Sequence, residues 1–158
     1  MTRILGLDVG DRRIGLAIAD PDGRAAPLTT IRRSDDPARD TAAIERVIED
    51  HDVSEIVVGL PLDMSGGEGS QVLRTRAWVE AVLQAWIGCV RYRDERLSSH
   101  RAEERVGPMK RGRSGGPPTR AQREDWRSRV DREAAAIILQ DELDARATAR
   151  ESHTENPE

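Results

Sequence analysis

An acid stands inside an apolar run near the start of the chain, Ile4-Leu5-Gly6-Leu7-Asp8-Val9-Gly10. Read as a strand, the run puts Ile4, Gly6 and Asp8 on one face and Leu5, Leu7 and Val9 on the other. A carboxylate there costs several kcal/mol by order of magnitude unless it is hydrogen-bonded, paired or bound to a metal, so Asp8 is a candidate metal ligand. The bland alternative is an acid satisfied by neighbouring backbone N–H groups. Gly6, Gly10 and Gly15 mark places where a backbone or a ligand comes close, since glycine otherwise weakens a strand. A second acidic pair, Asp94-Glu95, ends another β-like run, and its two side chains should point to opposite sides, so only one of them can join Asp8. Ser98 and Ser99 follow as N-cap candidates for a helix over 100–106, or as hydroxyls that contact phosphate. A third acid, Asp131, shares a helical face with Ala135 and Ile138 and so points toward the sheet. Ser128-Arg129-Val130-Asp131 also fits a capping box, in which Asp131 merely reaches back to the helix start.

Elements to position these groups are legible in the hydropathy pattern. Runs at 4–9, 14–19 and 27–31, separated by Asp11-Arg12-Arg13 and Pro21-Asp22-Gly23, predict three antiparallel strands, with Pro27 at a strand start or edge. Asp36-Pro37 is a helix entry, followed by the stripe Ile44, Val47 and Ile48. Glu55-Ile56-Val57-Val58-Gly59 is continuously apolar, the mark of a strand covered on both faces and paired in parallel. The loop over 60–67 lies at that strand's C-terminal end, where open α/β sheets place ligands, but no Lys follows its glycines and a Walker-type phosphate loop is rejected. A helix over 71–86 carries Val79, Val82, Leu83 and Trp86, and Trp78 and Trp86 line core or groove. Residues 107–123 read as a mobile basic loop, the last helix starts near Ser128 or Arg129, and the acidic tail over 147–158 reads as disordered.

The 158 residues suit a single domain over 1–146. Net charge is −4, yet nine basic residues face three acidic ones between Arg105 and Arg132, a local +6. Such a strip, with Arg111, Arg113 and Arg120 in the loop, is the footprint of phosphate contact, or else a solvated excursion. Aromatic residues make up 3% and there is no Phe, which argues against base-stacking recognition. Cys89 is the only cysteine, no apolar run approaches a membrane span, and a cytoplasmic protein without a membrane partner is expected.

Taken together, GLDVGDRRIGLA (6–17), IVVGLPL (56–62), DERLSS (94–99) and VDREAAAIIL (130–139) resemble the YqgF/RuvX family, in the right order and over nearly the whole chain to about Leu143. The resemblance implies an RNase H-like α/β fold, with a five-stranded mixed sheet of three antiparallel then two parallel strands flanked by helices. It implies a metal-dependent endonuclease acting in maturation of the precursor of 16S ribosomal RNA, within a pre-ribosomal particle, with Holliday junction resolution as the alternative activity. A non-catalytic RNA- or protein-binding factor of ribosome assembly or transcription is the alternative of another class. Carried over position by position, it makes Asp8, Glu95 and Asp131 the catalytic acids and metal ligands, and matches Arg127 and Arg129 to basic positions before the last helix. Two divalent ions about 4 Å apart would suit such acids. Hard oxygen ligands without a His/Cys cluster favour Mg2+, with Mn2+ as a substitute, over zinc. The segment 110–123 departs from the family pattern as an insertion.

Overall fold

The computed structural model describes residues 3–62, 69–95 and 97–154. Strands β1 (Arg3–Val9), β2 (Arg13–Ala19) and β3 (Ala25–Arg32) precede helix α1 (Pro37–His51) and strand β4 (Val53–Leu60). Helix α2 (Ser70–Leu83), strand β5 (Cys89–Asp94), and helices α3 (Ser98–Val106) and α4 (Arg120–Thr154) complete the chain. One sheet results, in the order β3-β2-β1-β4-β5. β1, β2 and β3 pair antiparallel, while β4 runs parallel to both β1 and β5. This is the mixed sheet that the apolar runs predict. Among the described residues, no helix is long and apolar enough to cross a membrane.

The two faces of the sheet are packed differently. Leu5, Leu7 and Val58 meet α1 and α2 through Ile44, Val79 and Val82, a contact of large side chains. On the other face Ala17 and Val57 meet Ala135, Ile138 and Leu139 of α4. Here the strands offer bare backbone. A Cβ on Gly6 would lie 2.8 Å from Leu139 Cβ, one on Gly59 would lie 2.5 Å from Ile138 Cδ1, and one on Gly15 would collide with the carbonyl oxygen of Asp131. Glycine at these positions lets α4 lie directly against the sheet. Gly15 is also the ladder partner of Asp8, so the same close approach carries Asp131 to the first acid.

Local chemistry explains most element ends. Asp36 accepts from Ala38 N at 3.0 Å and Pro37 occupies the first turn of α1, as its sequence predicts. Buried Asp40 of α1 accepts from Trp78 Nε1 at 3.0 Å and from Ser34 N at 2.9 Å, tying α1 to α2. Pro27 sits inside β3 rather than at its start. The strand tolerates it because β3 is an edge and the β2–β3 register shifts between Leu16 and Ala17, at Pro27's partner.

The last helix differs most from expectation. It begins at Arg120, not near Ser128, because Thr119 and Gln122 form the capping box: Gln122 N donates to Thr119 Oγ1 at 3.1 Å and Thr119 N donates to Gln122 Oε1 at 2.8 Å. It continues to Thr154 rather than stopping near Arg146, and residues 155–158 lie outside the described residues. The basic loop accordingly ends at Thr119. It closes on itself through Gly112 N to Gly116 O (3.1 Å) and a short 3-10 turn over Arg113–Gly115. Trp126 Nε1 donates to Gly107 O at 2.7 Å and pins the start of the loop to α4.

Candidate active site

Asp8, near the end of β1, and Glu95, just past β5, line one cavity of about 200 Å3 together with Gln71, Ser98 and Ser99. Strand geometry makes this meeting. β4 lies between β1 and β5, and Glu95 N donates to Leu60 O at 3.0 Å, which holds the chain beside the end of β4 as it leaves β5. Asp94 is the exposed last residue of β5 and does not line the cavity, so Glu95 is the member of the pair that joins Asp8. Of the ligand-side segment that the sequence places over 60–67, residues 63–67 lie outside the described residues, as does Arg96.

Electrostatics set the two acids apart from ordinary carboxylates. Asp8 is half-buried where it lines the cavity, and burial together with the nearby Asp131 raises its pKa to about 7. Glu95 is also raised, first by burial and then by Asp141, against the opposing charges of Arg101 and Arg93. Those arginines sit 3.7 and 3.9 Å from its carboxylate. They are held in turn from α4, Arg101 by Asp141 at 2.6 Å and Arg93 by Glu142 at 3.0 Å.

Asp131 meets the sheet, as its helical spacing predicts. It lies well inside α4, more than two turns past the cap at Thr119, so the capping-box reading through Ser128 is excluded. Ser128 instead uses its carbonyl to accept from Thr30 Oγ1 at 2.6 Å, docking α4 on β3. The Asp131 carboxylate accepts from Arg13 Nε at 2.6 Å; burial raises its pKa, and the bond to Arg13, with Arg127 nearby, opposes the rise. Among the described residues no three His, Cys, Asp or Glu side chains stand close enough to hold one metal ion. Asp8 and Glu95 therefore share a cavity, and Asp131 acts on Asp8 through its field while its side chain is engaged by Arg13.

Ser98 and Ser99 are not caps. α3 begins at Ser98 with Leu97 as its cap residue and no side-chain cap hydrogen bond, so its first amides are left for another acceptor, and both serines face the acids. Of the basic residues expected to meet nucleic acid, Arg120 and Arg127 come together around a separate cavity, joined by Arg12, Arg13 and Arg32. Arg111 donates to Gly115 O at 3.2 Å within its own loop, and Arg113 lies on the exposed 3-10 turn. Arg129 is half-buried on α4; neither it nor the loop pair lines that cavity. Arg12, Arg13 and Arg32 are not among the residues expected from the sequence. The signal was there: Arg13 is two residues before Gly15 and so shares its face of β2.

A mixed five-stranded sheet covered by α1 and α2 on one face and by α4 on the other, with acids at the ends of β1 and β5, defines an RNase H-like domain. The comparison with known proteins then narrows the class. Residues 2–145 match the family profile described as "RuvX: Holliday junction resolvase". A Chloroflexus aggregans protein named "Putative pre-16S rRNA nuclease" is 45% identical over 145 residues, covering 90% of this chain and 94% of its own. One of the same name from Anaeromyxobacter dehalogenans is 46% identical over 148 residues, covering 92% and 98%. The chain belongs to the RuvX family. The solved structure "T. thermophilus RuvC in complex with Holliday junction substrate" shares the fold, with a TM-score of 0.54 at 16% identity over 93% of this chain and 96% of that one.

Proposed function

We propose that this chain is a divalent-cation-dependent endonuclease that hydrolyses a phosphodiester bond in precursor 16S ribosomal RNA, with Asp8, Glu95 and Asp131 as its acids. The observation that carries this is the meeting of Asp8 and Glu95, from the first and last strands of the sheet, in one cavity beside the open N-terminus of α3. The names of the relatives support precursor 16S ribosomal RNA as the substrate.

The donor set fits a hard cation such as Mg2+, with Mn2+ as a substitute: two carboxylates face hydroxyls, without sulfur or imidazole. Asp8 and Glu95 would hold it, with Asp131 beside them. A cation bound there supplies activation of the attacking water and stabilisation of the leaving oxygen. The chain's own groups do the rest. Asp8 must release the proton it keeps to about pH 7 before it can hold a cation, and the guanidinium groups of Arg93 and Arg101 keep Glu95 in place beside it. Ser98, Ser99 and the uncapped amides of α3 present donors to a phosphate oxygen, a role helix N-termini fill readily. Exposed, unpaired Cys89 agrees with a cytoplasmic setting.

The test is cleavage in Mg2+ of a precursor 16S transcript set against a four-way DNA junction, with Asp8→Asn as the inactive control. Cleavage of the transcript alone, lost in the variant, is the expected result. Cleavage of the junction alone would move the substrate to branched DNA, and equal cleavage by Asp8→Asn would remove the acid site from the reaction.

A further inference from the structure

The same face of the sheet carries a second cavity, of about 230 Å3, in which Arg12, Arg13, Arg32, Arg120 and Arg127 surround a single carboxylate, Glu124. The five arginines come from four elements: the β1–β2 turn, β2, β3 and the first turns of α4, which supplies two. Arg13 and Arg32 are direct partners in the β2–β3 ladder, and like charges placed opposite one another destabilise a strand pair. Compensation is incomplete. Arg120 pairs with Glu124 at 3.2 Å on the exposed surface, and Arg13 pairs with Asp131 at 2.6 Å. Among the described residues Arg12, Arg32 and Arg127 have no carboxylate within ion-pair distance. The floor is fixed, because Thr30 Oγ1 donates to Ser128 O and locks α4 to β3 beneath the arginines.

A concave surface of five guanidinium groups, three of them without a carboxylate within ion-pair distance, on a fixed base is suited to a phosphodiester, whose oxygens accept paired N–H donors. Its position is equally informative. Arg13 links it to the acids: it lines this cavity and bonds Asp131, whose charge acts on Asp8. We propose that this cavity is a phosphate subsite that holds one backbone phosphodiester of the substrate strand, to one side of the bond placed at Asp8 and Glu95, and so fixes which bond is cut. This rests on the nuclease reading above and adds a second point of attachment to it.

Arg12 and Arg32 are exposed, so replacing both leaves the core intact. The test compares Arg12→Gln/Arg32→Gln with Arg39→Gln/Arg46→Gln, which removes the same charge from exposed positions of α1 on the opposite face. Binding of a short labelled single-stranded RNA is read by anisotropy across a KCl series without divalent cation, after thermal melts confirm that both variants are folded. The expected result is about a tenfold loss of affinity at low salt for Arg12→Gln/Arg32→Gln, with a slope of log affinity against log salt shallower by about 0.7 for the lost phosphate contact. The α1 variant keeps the wild-type slope. Equal losses in both variants would reduce the effect to net charge and overturn the subsite. Loss of thermal stabilisation by inorganic phosphate with RNA binding unchanged would make the cavity a free-anion site and overturn it as a strand contact. A wild-type chain that binds neither the RNA nor a four-way junction overturns the nuclease reading itself, a result distinct from a wild type that binds and a variant that binds equally.

Discussion

Asp8 keeps its proton to about pH 7, whereas an unperturbed carboxyl releases it near 3.8. Between those values the folded chain binds more protons than the unfolded one, so this group makes stability fall as pH rises through the window. Asp8→Asn cannot ionise. It should converge with the wild type below pH 4 and exceed it by roughly 4 kcal/mol near pH 8, a difference that denaturant melts at the two ends of that range will read. A constant difference across the range would show an ordinary carboxyl. Mg2+ should raise the wild-type melting temperature more at the higher pH and leave Asp8→Asn unmoved, because the cation binds only the ionised ligand. Asp8 was legible in the sequence because an acid inside an apolar strand is costly and demands a partner. Glu95 could be told from Asp94 only through the family resemblance, since alternation leaves the choice between neighbours open. The Arg13–Asp131 bond was not legible, because its partners are 118 positions apart and only the docking of α4 brings them together.

Helix α4 is the element on which the site depends, and two devices fix it. The first is the Thr119–Gln122 box. Thr119→Ala should cost about 1 kcal/mol in chemical denaturation, whereas Ser128→Ala should cost close to nothing, its contribution being a backbone carbonyl. The opposite ranking would place the helix start at Ser128. Both segments fit a capping pattern; what separates them is that Pro117-Pro118 stops the chain just before Thr119 while the ladder of α4 runs uninterrupted past Ser128. Local pattern alone could not choose. The second device is the bare backbone of Gly15. Gly15→Ala forces its methyl into the Asp131 carbonyl and should cost about 1–3 kcal/mol by overpacking. Cleavage should fall further than the folded fraction does, because the displaced turn carries Asp131. Activity per folded molecule, taken from parallel melts and initial rates, checks this, and wild-type activity in the folded fraction would uncouple that turn from the chemistry. The strands and α1 were readable because alternation, a proline and a cap agree; the glycine contacts were readable only as close approaches of unnamed partners.

In the molecule as a whole, α4 has three tasks: it covers the alanine and glycine face of the sheet, supplies Asp131, and contributes Arg120 and Arg127 to the basic cavity. A chain cut back to residue 116 keeps Asp8 and Glu95 but exposes Ala17 and Val57, and should bind a hydrophobic dye and lose cooperative melting. A cooperative melt would show that the strands and first helices stand alone. The architecture also orders events during synthesis. Asp8 emerges first from the ribosome and α4 last, so a growing polypeptide has no complete site at any moment before α4 is free to dock. Because its candidate acids come from the first strand, the end of the last strand and the last helix, the chain can bring them together only once that helix has left the ribosome, with the delay written into the order of its strands and helices.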